Sequence, residues 1–168
     1  MYRPFVIALA GAAIAAPAHG APPKVQALKD IYAAGFQDCA DAMGEIVKFV
    51  HEEEDYAYLG LWSAAKPNTE MATAMTSQSF TDGHGIATVS AVKTVGGGFN
   101  VTLTHVFIVP NQTCAQLRDT TFKAWKFYSD FGGASLYEDP TTANSNAALT
   151  PIGKTGCLIV KNLLRLED

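Results

Sequence analysis

A strict period of two across residues 85–109 restricts the fold more than any other feature of the chain. Ala87, Val89 and Ala91 alternate with Thr88, Ser90 and, further on, Thr94. Beyond Gly96-Gly97-Gly98, the residues Phe99, Val101, Leu103, His105, Phe107 and Val109 alternate with Asn100, Thr102 and Thr104. Successive side chains of an extended chain point to opposite sides, so this pattern describes two strands with one apolar face each. The triglycine joins them as a hairpin turn. Asp82-Gly83 is a second tight-turn signal, which adds a strand beginning near Met71. An antiparallel meander is therefore expected at the centre of the chain, ending where Pro110 removes a backbone donor.

The flanking segments read differently. Val25, Leu28, Tyr32, Phe36, Cys39, Met43, Ile46 and Val50 recur every three or four residues, the apolar stripe of a long helix. Gly35 and Gly44 are the points at which it can break. The helix is expected to end near His51, because the run Glu52-Glu53-Glu54-Asp55 opposes the negative helix terminus. Tyr56 to Trp62 is β-favouring. After the meander, Thr113 and Gln116 have capping-box spacing, and Leu117, Thr121, Trp125 and Tyr128 follow at helical intervals up to Gly132-Gly133, the residues a helix C-cap prefers. Leu136 to Glu138, Ala147 to Thr150 and Thr155 to Leu166 read as three further strands. The expected fold is α+β: a twisted antiparallel sheet of about six strands with two helices packed on one face.

The first residues carry a separate message. Arg3 is followed by an apolar, Ala-rich run from Phe5 to Ala16, then by Pro17 and the small residues Ala18, Gly20 and Ala21. These are the parts of a secretory signal peptide, and the apolar run is short of the ~20 residues a spanning helix needs. Residues 1–20 are expected to be removed by a cut before Ala21, leaving 21–168 as one soluble domain in the periplasm or outside the cell. Losing Arg3 leaves 11 basic against 16 acidic side chains, a net charge of −5, with no basic cluster. Nucleic acid and anionic membrane surfaces are poor partners for such a chain.

Three cysteines in an oxidising compartment suggest one bridge and one thiol. Cys114 at the start of the second helix and Cys157 in the last strand are the expected structural pair. Cys39, on the first helix's apolar stripe, is expected to be a buried small hydrophobe. Unbridged, Cys114 would instead have the helix-terminal setting of a reactive thiol. His105 falls among Leu103 and Phe107 and is read first as a core residue. Trp125 is a candidate for lining a groove. The remaining histidines and the acidic run lack metal-ligand spacing, and no Ser sits in a Gly-x-Ser-x-Gly elbow. No cofactor or metal is expected. With no convergent acid, base and nucleophile, the expected role is a small exported, non-catalytic binding or inhibitor protein for an unknown protein or small-molecule ligand. The alternatives are a small periplasmic hydrolase using His105 or a cysteine, and a structural or assembly factor of the envelope.

Overall fold

The computed structural model describes residues 26–33, 35–37, 40–51, 56–66, 69–81 and 83–167. The expected leader, Cys39, the acidic run 52–55 and Asp82 lie outside them. The period-two segments form consecutive antiparallel strands, β2 (Ala72–Phe80), β3 (Gly83–Lys93) and β4 (Phe99–Val109), preceded by β1 (Ala57–Leu61). A short helix, α3 (Cys114–Asp119), follows. The chain then crosses to the far edge and returns through β5 (Lys126–Phe131), β6 (Ala134–Glu138), β7 (Ser145–Ile152) and β8 (Gly156–Glu167). The strands form one antiparallel sheet in the order β1-β2-β3-β4-β8-β7-β6-β5. Two four-stranded meanders are thus joined where β4 pairs with β8, and β1 and β5 are the open edges.

This architecture corrects the α+β expectation. Among the described residues the fold is mostly β, one open sheet of eight strands instead of about six, and the expected second helix is reduced to the short α3 between its halves. The capping box at Thr113 forms as expected: its hydroxyl oxygen accepts from Gln116 N–H, and Gln116 Oε1 accepts from Thr113 N–H. The helix then stops at the β-branched pair Thr120-Thr121, where φ and ψ leave the helical range at Thr120. The stretch beyond, Lys-Phe-Tyr-Ser-Asp-Phe, is strand β5. Gly132 and Gly133, expected as a helix cap, have φ of +58° and +93° and form the β5–β6 hairpin turn. Two consecutive left-handed residues match the twist of the flanking strands, which favours glycine at both. The aromatic spacing through Trp125 and Tyr128 mimicked a helix without being one.

The expected long N-terminal helix is also interrupted. Helix α1 (Gln26–Ala33) ends before Gly35, whose φ is +103°, and α2 (Ala40–His51) resumes beyond it. Gly35 N–H donates to Tyr32 C=O at 3.0 Å, closing the turn.

Register places one row of cross-strand neighbours over the whole sheet: Tyr58, Thr76, Ala87, His105, Lys161, Ala147, Tyr137 and Phe127. All lie on one face, which the helical segments cover. On the β1–β4 side, Leu28, Phe36, Met43, Ile46, Val47 and Val50 pack on Ala72, Ala74, Ala87, Val89, Ala91, Val101 and Leu103. The run of alanines on β2 and β3 lets the bulky helical side chains approach the sheet closely. On the β7–β8 side, Leu117 and Phe122 pack with Tyr137, Ala147, Leu149, Cys157 and Ile159. Cys114 is bonded to Cys157 beneath α3, with Cα atoms 5.0 Å apart.

Two predictions follow from this packing. Leu103→Ala removes a buried side chain from the covered face and is expected to cost roughly 2–5 kcal/mol in urea melts, with Thr102→Ala, exposed on the other face, costing well under half of that. Equal costs would show the faces to be misassigned. The disulfide closes a separation of 43 residues, for which chain entropy gives about 3–4 kcal/mol. Cys114→Ser and Cys157→Ser are expected to lower stability by that amount about equally, and a melt of either variant unchanged from the parent would contradict the bond's role.

Candidate binding surface

Alternation along the strands leaves the sheet with one covered and one uncovered face, and they differ in chemistry. His105, the main candidate from the sequence, belongs to the covered face and is only 5% exposed. Its ring centroid lies 3.5 Å from that of Phe107. It stands where the two core clusters meet, with the buried polar side chains Thr76 and Gln78 on the same face. Across β4 and β8 its direct neighbour is Lys161. Lys161 Nζ lies 5.5 Å from the Trp125 ring centroid and 5.8 Å from that of Phe122, while those two rings meet edge to face at 5.1 Å. The rings' negative faces take the place of part of the ammonium's water.

Burial lowers the Lys161 pKa below the ordinary lysine value, and the attraction of Asp139 opposes that shift. At Asp139, burial works to raise the pKa, but hydrogen bonds from Thr141 and Thr142 outweigh it and hold the carboxyl below its usual value. Thr141 donates to Asp139 Oδ1 through both its backbone N–H, at 2.9 Å, and its hydroxyl, at 2.6 Å. Trp125, the groove candidate, is half-buried as a wall of this lysine's setting. Lys161 is not among the residues that spacing or motif singles out. Its signal was a cation on the inward parity of an otherwise apolar strand, in step with Cys157, Ile159 and Leu163.

Of the other expected site residues, Cys114 and Cys157 are held in the disulfide, and Cys39 lies outside the described residues. Among the described residues no group of three His, Cys, Asp or Glu side chains is placed to hold a metal ion. No described helix is long and apolar enough to cross a membrane. Tyr128, expected on the second helix, and Phe131 are 65% and 71% exposed.

The uncovered face contains a pairing that the sequence reading missed. His84 lies in the β2–β3 hairpin with both ring nitrogens bonded to serine hydroxyls, Nε2 to Ser77 Oγ at 3.1 Å and Nδ1 to Ser79 Oγ at 3.0 Å. Serines two apart, facing a histidine across a tight turn, are the sequence signal for it. His84 and His105 point to opposite faces and cannot share a ligand.

Most of the uncovered face is arranged in bands. One row is polar: Thr104 Oγ1 donates to Asn162 Oδ1 at 3.0 Å, and Asn162 Nδ2 donates to Asn146 Oδ1 at 3.1 Å. Beside it, Thr73 and Ser90 share a hydrogen bond of 2.9 Å. Around these polar bands stand Leu61, Met75, Ile86, Ile108, Ile152, Leu164 and Leu166, all exposed. Antiparallel sheets with a solvated face ordinarily carry polar residues there. A face bearing this many exposed large apolar side chains matches a surface used for association. We therefore take it as the candidate functional site.

No protein-family model matches the chain, and neither a curated protein nor a solved structure does.

The lowered Lys161 pKa sets a pH signature. The unfolded chain holds this proton more tightly than the folded one, so protonation of Lys161 opposes folding at neutral pH. Its contribution to stability should rise as pH climbs from the lowered folded value to the ordinary lysine value. Urea melts at pH 7 and pH 10 are expected to show the parent gaining on Lys161→Met at the higher pH, and a pH-independent difference between the two would refute the assignment.

Proposed function

We propose that the protein is a small exported binding or inhibitor protein of the periplasm or cell exterior, non-catalytic, and acting through the uncovered face of its sheet. The observation that carries this reading is the set of seven exposed apolar side chains on the face opposite the helices. The partner that suits them is a protein with an apolar surface of its own, since a broad, flat, banded face offers a small molecule little enclosure. Export is supported by the Cys114–Cys157 bond, a feature of oxidising compartments, and by the leader-like composition of residues 1–20. A hydrolase working through His105 or Cys114 is not taken up, because His105 is covered and Cys114 is spent in the disulfide.

The test is capture from envelope extract by immobilised mature protein, run beside an Ile86→Asp/Ile108→Asp variant. Both side chains are exposed, so the variant should melt like the parent yet bind the captured partner at least about tenfold more weakly. Equal capture by a normally folded variant would remove the uncovered face from the reading.

A further inference from the structure

We propose that β5 is a self-association strand, through which two copies pair β5 to β5 antiparallel about a two-fold axis and run one sheet across both. Among the described residues strand β5 ends the sheet, and no described strand pairs with the backbone groups on its outer side. Such an edge is ordinarily blunted by charge, a bulge or shortness. Strand β5 has two charges and a bulge, yet it exposes three aromatic side chains, Phe127, Tyr128 and Phe131, which are 53%, 65% and 71% exposed. The opposite edge, β1, is shorter and has α1 packed against it.

The strand is complementary to itself in one direction. Lys126 begins the strand and Phe131 ends it, so antiparallel pairing sets the ammonium of one copy beside the ring of the other, whereas parallel pairing sets lysine against lysine. Faces select the register. Phe127 and Asp130 share the covered face, and Lys126 and Phe131 share the uncovered one, because the strand bulges at Tyr128. Pairing Lys126 with Phe131 of the second copy, and Phe127 with its Asp130, keeps both faces continuous and sets the two bulges side by side at the axis. Each copy then lays an ammonium against the other's ring, twice by symmetry. This inference does not use the seven apolar side chains of the proposed binding surface, which stay open in the dimer.

The experiment is analytical ultracentrifugation of the mature protein up to about 0.1 mM, with Phe131→Lys and Phe131→Glu compared. Both variants delete the same exposed aromatic. Phe131→Lys faces Lys126 of the other copy and should weaken the dimer, whereas Phe131→Glu faces the same lysine with opposite charge. The two dissociation constants are expected to differ by about tenfold or more in that order. Amide exchange in residues 126–131 should slow as concentration rises. A parent that stays monomeric, or two variants that dimerise equally, would overturn the proposal, and uniform melting temperatures across the set would show that folding is not the cause.

Discussion

Everything in the tertiary structure depends on the pairing of β4 with β8. It joins Phe99–Val109 to Cys157–Glu167 in continuous register and welds two local meanders into one sheet. Each meander is made of neighbours in sequence, but this ladder is not: Thr104 and Asn162, bonded across it, are 58 residues apart. Closing that loop costs chain entropy before any strand contact offsets it. The disulfide lies at the end of the same ladder, where Val109 is the cross-strand partner of Cys157. It ties the start of α3 to the strand that α3 must cover.

The same ladder decides which side chains meet. Because register fixes parity, His105 and Lys161 become neighbours on the covered face, between one hydrophobic cluster under α1 and α2 and another under α3. The aromatic rings of Phe122 and Trp125 then meet the lysine because the turn after α3 carries them over β8. On the other side, the same parity aligns Thr104, Asn162 and Asn146 into a hydrogen-bonded row and leaves the apolar side chains around it in water. A shift of one residue would exchange the two faces entirely. The division between a covered face and an uncovered face with exposed apolar side chains is thus a consequence of one register.

Much of this was legible in the residues themselves. The alternation of Leu103 and Phe107 with Thr102 and Thr104 named the buried face of β4 correctly, since period two is a local property of an extended chain. The break at Gly35, the capping box at Thr113 and the pairing of Cys114 with Cys157 were legible for similar reasons, each resting on a residue with a narrow set of conformational or chemical uses. The failures share a cause as well. Trp125, Tyr128 and the diglycine carry helical spacing and a helix-cap composition, and the same residues make an aromatic edge strand with a two-glycine hairpin. Local pattern does not separate these, because the strand is stabilised by Leu136 and Tyr137 of the next strand and not by its own periodicity. Ser77, Ser79 and His84 had a signal in two serines of one parity facing a histidine across the Asp82-Gly83 turn, but it shows as a cluster only once the register of the hairpin is known.

The amino-acid sequence by itself determined the central antiparallel meander, which of its faces is apolar, the start of α3 and the acidic balance of charge. These follow from chirality, side-chain alternation and composition, all of which act within a few residues. Only the tertiary structure decided the order of the eight strands, the exposure of β5 at the edge and the placing of Lys161 beside His105. Those depend on which distant strand pairs with β4, a choice made by the total burial and hydrogen bonding of the assembled sheet.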